Sequence, residues 1–219
     1  SGCGKSTLLR IIAGLEQATG GQVLVDGERV IGPGADRGMV FQGYSLFPLR
    51  TVAQNVAFGL QVARWPGDRR AARVAELLGI MGLAEFADAL PRELSGGMRQ
   101  RVAIARALAQ EPDVLLLDEP FGALDAQTKR TMQDFLLTVW QRTGTTILMV
   151  THDVEEAVYL SQRIYVMAGA RIGAEGAARA GGHVAAEIAV PFGRSRGPDI
   201  KRDPRFLDLR DELGDLLAA

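Results

Sequence analysis

Glycine, lysine and hydroxyl side chains crowd the first seven residues, Ser1-Gly2-Cys3-Gly4-Lys5-Ser6-Thr7. They fit all but the beginning of the pattern G-x-x-x-x-G-K-[ST], whose chemistry is the cradling of a polyphosphate. Glycines let the backbone wrap closely around phosphate oxygens, with successive N–H groups turned inward. Lys5 is expected to set its ammonium on the β- and γ-phosphates, and Ser6 to offer its hydroxyl to Mg2+. Thr7 then sits in the first turn of a helix running through Leu8-Leu9-Arg10-Ile11-Ile12-Ala13 to Gly14, with its N-terminus aimed at the phosphates. Cys3 reads as a small loop residue, with a redox role as the alternative because helix N-termini lower thiol pKa values. The first glycine of the pattern, and a strand leading into it, would lie before residue 1. The expectation is a chain that begins inside its own loop and, as it stands, binds ATP weakly or aggregates.

A second group of reactive side chains ends an apolar run, Val114-Leu115-Leu116-Leu117-Asp118-Glu119-Pro120. An acidic turn after a strand is by itself an ordinary solvated loop. Beside a phosphate loop it becomes specific chemistry. Asp118 is placed to hold the Mg2+ shell, and Glu119 to act as base toward an attacking water. Hydrolysis of a nucleoside triphosphate would then rest on positioning and on charge neutralisation around the γ-phosphate.

A third segment, Leu94-Ser95-Gly96-Gly97-Met98-Arg99-Gln100-Arg101, reads as a capped helix start. Ser95 is the N-cap, and the exposed N–H groups behind it form a second anion site. One chain rarely needs two such sites for one triphosphate. A dimer does, if each subunit closes over the nucleotide held by the other.

These residues need elements to position them. Gly21-Gln22-Val23-Leu24-Val25-Asp26-Gly27 alternates and ends in an Asp-Gly turn, a hairpin signal. Gly38 to Gln42 reads as a strand, and Thr51 to Leu94 as helices broken at Gly67, Gly79, Gly82 and Pro91. Val114–Leu117 and Thr145–Val150 read as strands. Between those two strands, Met132, Phe135, Leu136, Val139 and Trp140 repeat at the spacing of one buried helix face. Strands alternating with helices imply an α/β fold with a mainly parallel sheet covered on both faces. The Ala/Gly-rich tract from Ala168 to Ala186 reads as a loose hairpin or loop. Phe206, Leu209, Leu213, Leu216 and Leu217 mark a closing amphipathic helix.

Composition sets outer bounds. At 219 residues, 47% hydrophobic and 23% charged, the chain suits one domain or a domain with a subdomain. A net charge of −1 argues against a nucleic-acid partner. A single cysteine excludes an internal disulfide, and the longest apolar runs are far short of a membrane span. No signal peptide is visible, and the chain reads as cytosolic.

Taken together, the motifs resemble the ATP-binding subunit of ABC transporters, in family order and across almost the whole chain. Gly4-Lys5-Ser6-Thr7 matches the Walker A loop, so that Ser1, Gly2 and Cys3 fall among its nucleotide-binding residues. Gln42 matches the glutamine that senses Mg2+ and the γ-phosphate. Ser95-Gly96-Gly97 matches the signature, with Met98 where many members carry Gln. Asp118 and Glu119 match Walker B and the catalytic glutamate, Asp125 the D-loop at the dimer interface, and His152 the switch histidine that contacts the γ-phosphate. The resemblance implies a P-loop NTPase core with an inserted all-helical subdomain at about 43–110, within an ATPase domain at 1–168. A hairpin or loop and an amphipathic helix then fill 169–219, and the N-terminal strands are missing.

Within that family the chain is most similar to nitrate/sulfonate/taurine-type importers, through Asn55-Val56-Ala57-Phe58-Gly59-Leu60, Pro120 to Thr128, Glu155 to Leu160, and the tail around Val190-Pro191-Phe192, Arg194, Arg196 and Phe206. The resemblance implies ATP and Mg2+, a homodimer, an integral membrane permease, a solute-binding protein reached through that permease, and a peripheral place on the cytoplasmic face of the inner membrane. Leu46, Phe47 and Leu49 are expected to face the permease, or else to be core. Three departures stand out. The aromatic that stacks on adenine is missing, Leu49-Arg50 replaces a Trp-containing pair, and Gly173 to Gly182 reads as an insertion. The alternatives are a soluble ABC-type ATPase of repair, assembly or translation, and an inactive fragment. No sustained heptads support the repair class.

Overall fold

The computed structural model describes residues 3–169, 182–193 and 196–218. In chain order the elements are α1 (Lys5–Ile12), β1 (Leu24–Val25), β2 (Glu28–Arg29), β3 (Arg37–Val40), α2 (Val52–Val62), α3 (Gly67–Ile80), α4 (Gly96–Leu108), β4 (Val114–Asp118), α5 (Ala126–Thr143), β5 (Thr146–Val150), α6 (Val154–Leu160), β6 (Arg163–Ala168), β7 (His183–Ala189) and α7 (Pro204–Ala218). Two compact units share them: Ile11–Val150, and Ser1–Arg10 with Thr151–Ala219.

In the larger unit, β3, β4 and β5 form a parallel sheet in that order. Val40 stands opposite Leu117, and Asp118 opposite Val150. The three strands therefore end along one edge, the edge where open α/β sheets bind ligands. Parallel pairing needs crossovers, supplied by α2 to α4 between β3 and β4 and by α5 between β4 and β5. Leu115, Leu116 and Leu117 are fully buried, as an apolar run between helical layers must be. Each such side chain contributes roughly 1.5–3 kcal/mol by its burial. The Asp26-Gly27 turn joins β1 and β2 as a hairpin.

Helix α4 packs on α2 and β3. Its contact with β3 is close: a Cβ on Gly38 would come within 2.6 Å of the Ala107 carbonyl oxygen. Glycine at 38 thus sets how near the helix lies to the strand. Helix α2 starts on a capping box, in which the Thr51 hydroxyl accepts from the Gln54 N–H and the Gln54 side chain accepts from the Thr51 N–H. Of the face expected on α5, Met132, Leu136 and Val139 are buried, and Phe135 and Trp140 are half-buried.

In the smaller unit, β6 and β7 pair antiparallel. Within the tract read as a loose hairpin or loop, Ala168 and residues 183–186 belong to these strands: His183, Val184 and Ala186 pair with Ala168, Met167 and Val166, and the register shifts at Ala185. Residues 170–181 of that tract lie outside the described residues. Helix α7 packs on α6 and β6, with Phe206, Leu209 and Leu213 buried. Arg196 is buried there and donates to four carbonyls, those of Gly193, Val158, Tyr159 and Phe192. A buried cation without a carboxylate needs that many acceptors. Arg194 lies outside the described residues. Among the described residues no helix is long and apolar enough to cross a membrane.

Candidate functional site

Two carboxylates that adjoin in sequence separate in environment. Asp118 is the last residue of β4 and is 8% exposed. Glu119 leaves the strand with φ +45°, a left-handed conformation that costs a non-glycine residue roughly 1–2 kcal/mol. Two backbone bonds fix it there: its N–H donates 2.9 Å to the Val150 carbonyl, and the Gly122 N–H donates 3.2 Å to the Glu119 carbonyl. The kink takes the Glu119 side chain out of the sheet's alternation and leaves it half-exposed. Such strain persists where the surroundings over-determine it.

Gln42 comes from the neighbouring strand end. Its Nε2 donates to Glu119 Oε2 at 3.1 Å, across 77 residues of sequence. This bond joins two of the three residues assigned to catalysis and fixes the direction of the amide.

The loop after Gln42 has unusual backbone. Tyr44 and Ser45 are both left-handed, at φ +59° and +48°. Arg106, in the last turn of α4, donates 2.7 Å to the Ser45 carbonyl and 3.2 Å to the Tyr44 carbonyl, and its guanidinium lies over the Phe47 ring at 5.4 Å. Burial pushes this guanidinium below the ordinary arginine value. From α2, the fully buried Asn55 accepts from the Phe47 N–H at 2.8 Å and donates to the carbonyls of Phe47, Arg50 and Thr51. Leu46 and Phe47 are half-buried, with Phe47 against Phe58 at 4.5 Å, while Leu49 is 90% exposed.

The Ser95 hydroxyl caps α4 by accepting from the Met98 N–H at 3.2 Å, as its type and position predict. Gly96 lies between both strand-end loops: a Cβ there would meet Leu124 Cδ2 at 3.3 Å and the Tyr44 hydroxyl at 3.8 Å. Gly97 is buried against α5, where an added Cβ would come within 2.8 Å of Thr128 Cγ2. The second glycine is thus a packing requirement as well as a source of N–H groups. Asp125 caps α5, accepting from the N–H groups of Gln127 and Thr128 at 3.1 and 3.0 Å. Hydrogen bonds from the Thr128 side chain, then from its N–H, hold the Asp125 carboxyl below the usual carboxylate range.

The remaining assigned residues belong to the smaller unit. Lys5 opens α1 and its ammonium donates to Cys3 Sγ at 3.3 Å. Ser6 and Thr7 follow in the same first turn, and Gly4 precedes them. His152 is exposed, one residue before Asp153, which caps α6 by accepting from the Glu156 N–H at 3.1 Å. Ser1 and Gly2 lie outside the described residues.

Two residues of the site have no assignment in the sequence reading. Asn55 lies in a segment that carries the resemblance but has no role there. Arg106 is missed outright. The available signal was a lone arginine in Val102-Ala103-Ile104-Ala105-Arg106-Ala107-Leu108, an otherwise apolar stretch of helix.

As for a metal, among the described residues no three His, Cys, Asp or Glu side chains gather. Mg2+ does not require such a cage. It takes one or two carboxylates and completes its shell with water and phosphate oxygens. A hydroxyl, an amide oxygen and the buried carboxylate of Asp118 are hard oxygen donors of that kind.

The profile described as "ABC transporter" matches residues 1–122. The chain is 52% identical over 223 residues to the nitrate import ATP-binding protein NrtD of Synechocystis sp., covering 99% of this chain and 80% of that protein. It is 46% identical to the taurine import ATP-binding protein TauB of Rhizobium johnstonii, with 99% and 81% covered. Among solved structures it is similar to the dimeric ATP-binding cassette MJ0796 in a post-hydrolysis state bound to ADP and Pi. That match has a TM-score of 0.63 and 37% identity, and covers 74% of this chain and 75% of that one.

Proposed function

Because the chain belongs to the ABC transporter family, we propose that it is the ATP-hydrolysing subunit of an importer for nitrate, a sulfonate, taurine or a similar small anion. The observation that carries the reading is the Gln42–Glu119 hydrogen bond, which ties the ends of adjacent parallel strands at the edge where such sheets bind ligands. The likeness to nitrate and taurine import proteins over nearly the whole chain supports the substrate class.

Each residue has a part in the reaction. Lys5 and the N–H groups around Gly4 hold the β- and γ-phosphates, with Ser1, Gly2, Cys3 and Thr7 completing the loop. Ser6, Gln42 and Asp118 would hold Mg2+, which supplies neutralisation of phosphate charge when bound. With the Gln42 amide nitrogen donating to Glu119, its oxygen is the atom left for that duty. Glu119 orients a water and takes its proton as the water oxygen bonds to the γ-phosphorus; the bond to the β-phosphate oxygen breaks, releasing ADP and phosphate. His152 contacts the γ-phosphate. Ser95, Gly96 and Gly97 of a second copy close over the nucleotide, with Asp125 at the seam. Closure favoured by ATP is passed to an integral membrane permease through the Tyr44-to-Thr51 surface, and onward to a solute-binding protein. The subunit would sit peripherally at the cytoplasmic face of the membrane.

Glu119→Gln keeps shape and removes the base. Turnover should fall by about 10²–10⁴ while ATP binding persists, measured by phosphate release and by nucleotide titration. Unchanged turnover would remove Glu119 from the role. Capture of the tagged protein from detergent-solubilised membranes should recover an integral permease; recovery of none would sink the importer reading and favour a soluble ABC-type ATPase.

A further inference from the structure

The loop that carries Gln42 is held in part from outside. Its own backbone bonds are short-range, Tyr44 N–H to the Phe41 carbonyl at 3.1 Å, Ser45 N–H to the Gly43 carbonyl at 2.6 Å and Arg50 N–H to the Phe47 carbonyl at 3.2 Å. They leave two consecutive left-handed residues, neither of them glycine. The carbonyls those residues turn outward are the two that Arg106 takes, one on each terminal nitrogen of the guanidinium. A planar fork matches two carbonyls in a way that a point charge on a flexible stem does not. Arg106 stands ten residues along α4 from Gly96, where a Cβ would come to 3.8 Å from the hydroxyl of the same Tyr44. The first and last turns of α4 therefore both lie near the loop.

We propose that Arg106 is a positioning residue for hydrolysis: it holds the Tyr44-Ser45 turn so that the Gln42 amide stays on Glu119, and it ties that loop to the helix bearing Ser95-Gly96-Gly97. A displacement of α4 on closure is transmitted to Gln42 through the fork. The inference rests on the ATPase reading of the same site.

The test is a double-mutant cycle on the full chain in its assembled transporter, with steady-state ATPase rates against ATP concentration and thermal melting alongside. Arg106→Ala should lower kcat about tenfold while KM for ATP changes less than about twofold. Arg106→Lys should recover only part of the rate. In a Gln42→Ala background, the same Arg106 substitutions should cost little more. An equal fold-loss in both backgrounds would show that Arg106 does not act through Gln42 and overturns the proposal, as would full recovery by lysine. If Arg106→Ala does not fold, Arg106→Lys runs the cycle with the same criterion. A wild-type protein without ATP turnover would overturn the ATPase reading and this inference with it, whereas an additive cycle in an active wild type overturns the inference alone.

Discussion

Two loops leave the same edge of the sheet from neighbouring strands, and they are built on opposite plans. The loop after β4, Glu119 to Asp125, is held largely by its own backbone: Gly122 N–H to the Glu119 carbonyl, then Leu124 N–H to the Phe121 carbonyl, then the Asp125 cap on α5. The loop after β3, Gln42 to Thr51, has short-range backbone bonds too, but it is also held by side chains that reach it from outside, Arg106 from α4 and Asn55 from α2. One loop makes most of its bonds within seven residues, the Glu119 N–H on the Val150 carbonyl being the exception. The other also takes them from residues up to 62 positions away. A loop fixed from outside can be moved from outside, which suits the loop assigned to relay closure.

The contrast is sharpest at Asn55. Asn55→Ala strands the Phe47 N–H and takes the donor from the Arg50 carbonyl, while the Phe47 and Thr51 carbonyls keep the backbone N–H groups of Arg50 and residue 55. The loss should reach about 2–4 kcal/mol, read as a shift in the denaturation midpoint at unchanged slope. A loss below about 0.5 kcal/mol would mean that the β3 loop holds itself after all.

Next in size is the contact between the helices behind the two loops. Gly97→Ala drives a methyl against Thr128 Cγ2 and should destabilise by about 1–3 kcal/mol. Thr128→Ser removes that methyl and keeps the hydroxyl, so the double variant should regain most of the loss. No recovery would place the strain elsewhere.

The smallest effect belongs to the self-held loop. Asp125→Ala should lower Tm slightly at neutral pH, since only a surface cap is lost. The Asp125 carboxyl is held below its unfolded value. Its contribution is therefore fully present above the unfolded value and is lost as pH falls through the folded one. The difference in Tm between wild type and Asp125→Ala should then shrink on acidification below about pH 4. A difference that stays constant down to about pH 2 would detach the cap from the carboxylate's charge.

The same contrast governs what could be read in advance. Ser95 as a cap, the buried run Val114–Leu117, most of the α5 face and the Asp26-Gly27 hairpin are present where their local signals put them. The first half of β7, 183–186, closes an Ala/Gly-rich tract with few large core-forming side chains, and its partner β6 supplies the order that the local sequence does not announce. Glu119, Tyr44 and Ser45 in left-handed backbone carry no glycine or asparagine to announce them.

By itself the sequence determined which chemistry the chain carries, because phosphate loops, helix caps and buried strands are set by residue types a few positions apart. Only the tertiary structure decided that Gln42 meets Glu119, that Asp118 is buried while its neighbour is turned out, and that Arg106 and Asn55 hold the connecting loop. Those contacts join residues far apart in the chain, and no local pattern encodes a conformation that is unfavourable until distant side chains stabilise it.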